Sequence, residues 1–584
     1  MRKEIPMKKM IALVMVLIMT AGSAFANPAY SDREIEKRID EAGNAYIEFY
    51  RKGYEDRYAE YEITSEADES AAYEESAEVS ALCIMPTPSA SVAGSAPAGA
   101  EFNTEEYSPI EESGFRNVAT EPFSTFGADV DTASYSSLRR KLLEPFAYGN
   151  LYFSGIDDSA IRIEEMVNYF TYHYREPEDG EKFGVTTTLC KCPWNEETLL
   201  LKVGIKAEEI KEEQKGSNIV FLVDTSGSMF DFDKLPLVKK SLEILTNRLG
   251  ENDLVSVVTY AGDEQVALEG ASGAEKERIL EAVNSLEARG STWGEGGIHR
   301  AYEIAEKYFI EGGNNRVILC TDGDFNVGVS SIAGLKELIS EKRESGVFFS
   351  CLGFGGGNYS DTTMETLADN GNGNYFYIDC EREAERALNK EFFSTIYTVA
   401  KDTKFQVEFN PRNVKGYRLI GYENRAMAAE DFADDSKDGG EVGAGQTVTV
   451  LYEVVPADSG FEVPAVKSRY AESSVESAAE VTESDELLVV NIRWKDPDGD
   501  KSELREYPVS AGDVGEMDED TSWAAGVAQA GMLMRNSEYA GTSTFDDVYA
   551  RLKEDSEIME SDDKAEFLFM LRAMKSTRDG SRCS

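Results

Sequence analysis

Histidine is almost absent from this chain, which has 584 residues and only two imidazoles, those of His173 and His299. Ser-His-Asp hydrolases and histidine-ligated metal centres both depend on imidazole groups in their sites. So few histidines weigh against both classes of function. We interpret His299, which falls in a helical stretch, as a residue on the face of that helix rather than as a ligand.

Cysteine is scarce as well, and its number is odd. No C-x-x-C pair occurs, and Cys190 and Cys192 share one face of a predicted strand, so we expect neither a zinc site nor a disulfide framework. Cys320 and Cys351 lie in the apolar runs VILC and VFFSCLGF, which predicts that both are buried in strands. The seven cysteines are Cys83, Cys190, Cys192, Cys320, Cys351, Cys380 and Cys583.

Positive charge is the third shortage. The chain has 59 basic residues against 109 acidic ones, a formal net charge of -50. A field of that sign repels nucleic acids and anionic membrane surfaces, so we expect neither as a partner. The same field attracts divalent cations, although most of these carboxylates are better explained by solubility.

The clearest apolar run lies at the amino terminus. Four basic residues within the first nine precede the apolar stretch from Ile11 to Ala21, and the small-x-small sequence AFA ends at Ala26. This order predicts a secretory signal peptide, residues 1–26, cleaved after Ala26. The alternative is an uncleaved membrane anchor, for which the stretch is short. We expect a mature protein that is secreted or held in the cell envelope, without stable membrane insertion.

The remaining chain divides by composition and periodicity. A charged, solvated helix from Ser31 to Tyr61 is expected before a stretch rich in Ala, Ser, Glu and Pro, a composition typical of a disordered linker. Two β-rich blocks flank an α/β segment, so they could form one antiparallel β-sandwich with the α/β domain inserted. The predicted boundaries are 27–102 for the helix and linker, 103–184 for a flanking segment, 185–210 and 401–510 for the β blocks, 216–400 for the α/β domain and 511–584 for a helical C-terminal domain.

The α/β segment alternates regularly. Apolar runs such as NIVFLVD, LVSVVTYA and RVILCTD are separated by helical stretches such as LPLVKKSLEILTNRL. Strands that alternate with helices predict a doubly wound, mostly parallel and Rossmann-like sheet with helices on both faces. The fold class is therefore α/β, with a flanking antiparallel β-sandwich and a helical tail.

Three strand-end loops of this sheet contain short oxygen-bearing side chains. Asp224, Ser226 and Ser228 follow one buried strand in DTSGS, Thr292 lies on the glycine-rich loop ARGSTWGEGG, and Asp322 ends another buried strand in TDG. Ligand sites of open parallel sheets lie beyond the carboxyl ends of the strands, so these loops can converge there.

The donor atoms in these loops indicate a hard cation. All five side chains offer oxygen and none offers nitrogen or sulfur, which selects Mg²⁺ or Mn²⁺, with Ca²⁺ as an alternative, over zinc or copper. Three of the five donors are neutral hydroxyls, which leave such an ion more electrophilic than carboxylates in their place would. It can therefore accept a carboxylate from another molecule.

DTSGS, the loop threonine and TDG together resemble the metal-ion-dependent adhesion site of von Willebrand factor type A domains. The resemblance implies that Ser226, Ser228 and Thr292 bind the ion directly. It implies that Asp224 and Asp322 bind the ion directly or through water.

The flanks resemble a bacterial group of exported proteins with this domain, over roughly Asn103 to Ser576. The resemblance implies that 103–184 is the N-terminal flanking domain of that group, and that the C-terminal domain is the group's domain of unassigned role. Members are often lipoproteins, whereas no cysteine follows the apolar stretch of this signal peptide. The motifs are STFGADVDTASYSSLRR, IRIEEMVNYF, CPWNEETLLL, YRLIGYENR, DFADDSKDGGEVGAGQTVTVLYE and TFDDV.

Three functions fit these features. The first is metal-dependent binding of a protein or peptide with an exposed Asp or Glu, or of an envelope polymer. The second is a structural envelope protein whose metal site stabilises the fold. The third is a Mg²⁺-dependent hydrolase of the aspartyl-phosphate type, which needs an acid two residues after the nucleophile for leaving-group protonation. That position is Ser226, so we expect the protein not to be an enzyme.

Overall fold

The computed structural model describes residues 30–75, 105–128, 130–147, 156–209, 215–262, 264–290, 294–323, 332–357, 359–391, 397–435, 437, 439–464, 484–497, 499 and 501–581. The predicted signal peptide, Cys83, Cys583 and Thr292 lie outside these residues. Within them, no helix combines the length and the apolar character needed to cross a membrane.

The strands belong to three sheets. In chain order they are β1 (Arg116–Asn117), β2 (Phe123–Gly127), β3 (Phe183–Lys191), β4 (Leu199–Ala207), β5 (Ser217–Asp224), β6 (Leu254–Tyr260), β7 (Glu264–Ser272), β8 (Asn314–Thr321), β9 (Phe348–Phe354), β10 (Tyr375–Ile378), β11 (Thr398–Phe409), β12 (Val414–Ile420), β13 (Ala426–Met427), β14 (Val442–Gly443), β15 (Thr447–Pro456), β16 (Glu486–Lys495) and β17 (Ser502–Ser510).

The helices fall between these strands and at both ends of the described chain. They are α1 (Asp32–Glu75), α2 (Ala133–Ala147), α3 (Ile163–Asn168), α4 (Leu235–Arg248), α5 (Lys276–Asn284), α6 (Gly294–Lys307), α7 (Ile332–Glu344), α8 (Asp361–Asn370), α9 (Glu381–Glu385), α10 (Glu519–Met534), α11 (Phe545–Leu552) and α12 (Asp562–Ser581). A π-helix, Arg386–Glu391, continues α9.

The α/β domain is built on a sheet of order β10-β9-β8-β5-β6-β7. Its strands run parallel except β7, which returns antiparallel to β6 at one edge. Every residue of β5 and β8 is buried because helices cover both faces, with α4 and α5 on one core and α6, α7 and α8 on the other. The predicted α/β class is confirmed, and Cys320 and Cys351 are buried in β8 and β9 as predicted.

The β-sandwich is assembled from both sides of the α/β domain. One sheet has the order β1-β12-β15-β4-β3 and the other β13-β2-β11-β16-β17, with an apolar core between them. β4 comes before the α/β domain and pairs with β15, which comes after it. The α/β domain is therefore inserted into one antiparallel sandwich. The segment predicted as a separate flanking unit, 103–184, contributes β1 and β2 to these two sheets.

Helices from distant parts of the chain form a fourth core. α1, α2, α3, α10, α11 and α12 pack around a cluster that contains the fully buried Trp523. The C-terminal helices therefore share their core with the N-terminal helix. Five cysteines of the described chain, including Cys190, Cys192 and Cys380 in this cluster, are buried free thiols.

One predicted segment end is wrong. α1 extends to Glu75, beyond the predicted end at Tyr61, because the Ala- and Glu-rich stretch that looked like linker also has high helix propensity.

Candidate metal centre

The carboxylate of Asp224 marks the carboxyl edge of the parallel sheet. β5 consists of the buried residues SNIVFLVD, so its last side chain is held at the sheet edge by a strand that is packed on both faces. Asp224 Oδ1 accepts a hydrogen bond from the amide of Ser226 at 2.8 Å, and Oδ2 accepts one from Thr321 Oγ1 at 3.2 Å. Both bonds fix the direction in which the carboxylate points.

The chain turns sharply after this strand and brings two hydroxyls together. A 3₁₀ turn, Gly227–Phe230, follows Ser226 and places Ser226 Oγ 2.9 Å from Ser228 Oγ. Ser226 is buried whereas Ser228 is exposed to solvent. The turn therefore carries oxygen donors from the sheet edge out to the surface.

The loop that leads to Thr292 is tied to the same turn. The amide of Gly227 donates to the carbonyl of Gly290 at 3.1 Å, and the amide of Arg289 donates to the carbonyl of Thr225 at 2.7 Å. Gly290 has a φ of +86°, a conformation that glycine adopts without strain. Thr292 itself lies outside the described residues, so its role as a ligand stays a prediction.

Asp322 follows β8, the strand next to β5, and is paired with a cation. Its Oδ2 accepts from Lys234 Nζ at 2.9 Å, and both side chains are largely buried. Lys234 is the residue before α4. The structure thus gathers Asp224, Ser226, Ser228 and Asp322 at one edge of the sheet.

The electrostatics of Asp224 reflect this environment. Burial raises the pKa of Asp224 to about 6, and the negative charge of Asp322 adds to the rise. The hydrogen bonds from Ser226 and Thr321 lower the pKa but do not cancel the effect of burial. Within the described chain the hydrogen-bond donors to this carboxylate are neutral, so a cation at this position would relieve an unfavourable charge.

The residues present fit Mg²⁺ or Mn²⁺ by their donor chemistry. Hard divalent ions take carboxylate and hydroxyl oxygens, and Asp224, Ser226 and Ser228 supply both kinds within one turn. The described residues contain no group of three or more His, Cys, Asp or Glu side chains that could hold a metal ion. Of the described side chains, hydroxyls therefore have to contribute to a site at this edge.

The sequence did not reveal two residues of this site. Thr321 begins the TDG motif at the end of β8, but only the structure shows that its hydroxyl reaches Asp224. Lys234 gave a faint signal, because a lysine directly before a helix faces the positive end of the helix dipole. Such a position suggests that a carboxylate elsewhere holds the ammonium group.

Three protein-family models match the chain. A model described as "von Willebrand factor" matches residues 101–202, and one described as "von Willebrand factor type A domain" matches residues 218–391. A third, described as "Uncharacterized protein YfbK, C-terminal", matches residues 394–577. The second of these spans β5 to α9 and includes the whole candidate site.

Similar proteins occur in bacteria and in animals. The chain is 41% identical over 457 residues to the protein YfbK of Escherichia coli K12, a match that covers 76% of each chain. It is 28% identical over 177 residues to inter-alpha-trypsin inhibitor heavy chain H3 of Homo sapiens, which covers 29% of this chain and 20% of that protein. A solved structure, von Willebrand factor type A from Catenulispora acidiphila, is 16% identical and covers 62% of this chain and 81% of its own, with a TM-score of 0.36.

The match to YfbK and the family models fix what kind of protein this is. Type A domains generally mediate protein–protein interactions, and the proteins that contain them are mostly non-enzymatic binding proteins. This chain therefore belongs to the family of von Willebrand factor type A domain proteins that includes YfbK of Escherichia coli.

Proposed function

We propose that this protein is an exported, metal-dependent binding protein. Asp224, Ser226, Ser228, Thr292 and Asp322 would hold Mg²⁺ or Mn²⁺ at the sheet edge. The partner would be a protein, a peptide or an envelope polymer that presents an acidic group. When bound, the ion would supply a positively charged centre that attracts a carboxylate from another molecule.

The observation that supports this proposal best is the geometry of the DTSGS turn. Ser226 Oγ and Ser228 Oγ lie 2.9 Å apart, and a buried carboxylate with neutral hydrogen-bond donors stands beside them. Neutral hydroxyls bind an ion without cancelling its charge. The exposed Ser228 gives solvent, and hence a partner, access to this point.

An exposed aromatic side chain lies beside the same turn. Phe230 is 61% exposed, the largest exposed fraction among the large apolar side chains of the described chain. An exposed phenyl ring next to a charged anchor is a common arrangement at interaction sites, where apolar contact supplies affinity and the charge supplies direction. We therefore place Phe230 at the edge of the proposed binding surface.

A thermal unfolding experiment tests the metal site. The mature protein and its Asp224→Ala variant would be titrated with Mg²⁺ and Mn²⁺ and compared with EDTA. An ion that binds only the folded state raises the midpoint with concentration. We expect a rise in the wild type and none in Asp224→Ala, while Asp435→Ala, a carboxylate change in the sandwich, keeps the response. A midpoint that does not depend on Asp224 would contradict the proposed site.

A binding experiment tests the partner chemistry. Peptides that contain Asp or Glu would be compared with matched peptides that contain Asn or Gln, in Mg²⁺ and in EDTA. We expect the protein to capture a peptide only when both the acidic side chain and the ion are present. Phe230→Ala should weaken this capture without changing its dependence on the ion. Equal capture of the amide peptides would contradict recognition of an acidic group.

Export is tested by locating the protein. We expect the mature chain to begin at Asn27 and to occur outside the cytoplasm, which mass spectrometry of the fractionated cells would show. A cytoplasmic chain that retains residues 1–26 would contradict this part of the proposal.

A structural role for the ion is the second candidate. It is favoured by the packing of α1 against the loop after the turn, where Arg57 pairs with Asp231 at 3.1 Å. In that case Asp224→Ala would lose its circular dichroism spectrum instead of losing only binding. Retained structure with lost metal response favours the binding function.

A further inference from the structure

Lys234 occupies a position for which a lysine is poorly suited by local structure alone. It directly precedes α4, where the helix dipole favours negative charge, and it makes no side-chain cap. Pro236 at the start of the helix is a normal helix-start residue, so the helix does not need the lysine. The reason for an ammonium group here must lie in what it contacts.

The ammonium of Lys234 contacts a predicted metal ligand. Nζ donates to Asp322 Oδ2 at 2.9 Å, with 11% and 3% of the two side chains exposed. A buried ion pair of this kind forms only where geometry compensates the loss of hydration. The chain itself therefore supplies a cation to Asp322.

The space for the lysine side chain exists because the residue beside it is a glycine. Gly355, after β9, has a φ of +65°, and a Cβ there would lie 2.5 Å from Lys234 Cγ. Its carbonyl also accepts a hydrogen bond from Tyr377 Oη at 2.5 Å, which holds this loop in place. Lys234, Asp322 and Gly355, from the loops after β5, β8 and β9, therefore meet at one point.

We infer that Lys234 is an internal competitor of the divalent ion, since both require the carboxylate of Asp322. This inference rests on the proposed metal-dependent function. Lys234 neutralises Asp322 while the ion is absent and has to release it when the ion binds. The metal affinity of the protein is thereby set below the value that the oxygen donors alone would give.

Substitution of the ammonium tests this directly. Lys234→Met keeps the length and apolar stem of the side chain but removes the charge. We expect Mn²⁺ affinity, measured by electron paramagnetic resonance of the free ion, to increase at least about tenfold, or about 1.4 kcal/mol. Lys234→Arg should remain near the wild-type affinity. The control is Lys240→Met, which changes a half-exposed lysine of α4 that pairs with Glu243, and it should not alter the Mn²⁺ affinity.

Labelling of the unmodified protein covers the case in which Lys234→Met does not fold. An amine-acylating reagent and mass spectrometry would report how accessible each lysine is, with Lys240 as the internal reference. We expect acylation of Lys234 to rise several-fold when Mn²⁺ saturates the wild type. Labelling that is unaffected by Mn²⁺ would overturn the inference.

The outcomes separate this inference from the proposed function. If the wild type binds Mn²⁺ through Asp224 and Lys234→Met binds it no more tightly, the competitor role is wrong while the metal-dependent function stands. If neither protein binds Mn²⁺, the proposed function fails and the inference fails with it. Tighter binding in Lys234→Met, abolished by Asp224→Ala, supports both.

Discussion

Two clusters of buried charge in this molecule are built in opposite ways. In the helical cluster, the guanidinium of Arg139 is fully buried and is paired with Asp379, Glu383 and Glu566, at 2.7 Å for Glu383 and 2.9 Å for Glu566. At the sheet edge, Asp224 is equally buried, but its donors are an amide and a hydroxyl.

The pKa values of Glu383 and Asp224 follow this difference. Burial raises the pKa of Glu383, yet Arg386 and Arg139 together hold it well below the usual range. Burial raises the pKa of Asp224 to about 6, because the hydrogen bonds from Ser226 and Thr321 do not cancel the effect of burial. Glu566 limits the contrast, since burial raises its pKa even beside Arg139 and Arg382. The first cluster pairs its carboxylates with arginines, whereas the carboxylate of Asp224 accepts hydrogen bonds from neutral groups.

Removal of the central arginine should have the largest effect. Arg139→Met would leave three buried carboxylates around an apolar side chain, and breaking a buried pair in this way costs about 3–5 kcal/mol of unfolding free energy. Urea unfolding of both proteins in EDTA measures this loss of unfolding free energy. Arg278→Met removes an exposed i,i+3 pair with Glu275 and should leave the free energy of unfolding unchanged within error. A loss as small as that of Arg278→Met would show that the cluster does not stabilise the fold.

The second prediction concerns pH, at a carboxylate that contacts the loop after β9. Glu105 contacts Arg140, Lys141 at 2.7 Å and the amide of Gly357. Burial raises its pKa, but these partners outweigh burial and lower the pKa to about 2. Because the folded pKa lies below the unfolded one, the stabilisation is present above about pH 4.5 and is lost as the pH falls towards 2.

Comparison of Glu105→Gln with the wild type measures this contribution. The wild type should be more stable by about 2–3 kcal/mol at pH 7, and the two curves should converge towards pH 2. Glu121→Gln, which alters an exposed pair with Arg116, should run parallel to the wild type. A difference between Glu105→Gln and the wild type that does not vary with pH would mean that Glu105 acts by packing rather than by charge.

The two clusters also differ in how far the sequence could predict them. The site residues at the sheet edge could be predicted from local patterns: an apolar strand, a D-x-S-x-S turn and a second strand that ends in TDG. The parallel register then places Asp224 beside Thr321 and brings the turn together. The ion and the role of Thr292 stay predictions, because neither is described by the structure.

The helical cluster could not be predicted in this way. Arg139 meets Asp379 and Glu566 across 240 and 427 residues of sequence, and no periodic pattern encodes a pairing at such separations. The same is true of α1, whose charged composition indicated a solvated helix. Tyr46 of this helix instead donates to Asp379 at 2.8 Å inside the core. Contacts between residues far apart in the sequence therefore determine both the pairing of Arg139 and the burial of α1.

α1 also connects the two regions, and a third prediction tests this link. Phe232, in the loop after the DTSGS turn, packs against Phe49, Tyr50 and Tyr54 with ring centroids 5.8, 5.5 and 4.9 Å away. Gly53 leaves the space for its ring. Phe232→Ala should cost about 2 kcal/mol, since the ring is half-buried, and should increase hydrogen exchange in α1.

The exposed Phe230 provides the matched control for this change. Phe230→Ala should leave the hydrogen exchange of α1 at the wild-type level. If both variants left it unchanged, α1 would be held by the helical cluster alone, and the two regions would be independent.

The last prediction is the smallest expected change in the free energy of unfolding, and it is an increase where the earlier ones are decreases. In EDTA at pH 8 the folded protein has to keep the buried Asp224 ionised, against a pKa of about 6. Asp224→Asn removes that charge and should raise the free energy of unfolding by about 1 kcal/mol, less than the full cost because the amide accepts fewer hydrogen bonds. Saturating Mg²⁺ should reverse the order, as only the wild type gains from the ion.

A carboxylate at the opposite end of the same sheet is the control for the expected stabilisation by Asp224→Asn. Asp253 accepts from the amides of Ser217 at 2.7 Å and Gly250 at 2.6 Å, so Asp253→Asn should destabilise the protein with or without Mg²⁺. If Asp224→Asn destabilised the metal-free protein as Asp253→Asn does, Asp224 would be a structural carboxylate like those around Arg139. Stabilisation that Mg²⁺ reverses would instead identify Asp224 as a charge that the fold keeps buried for a cation.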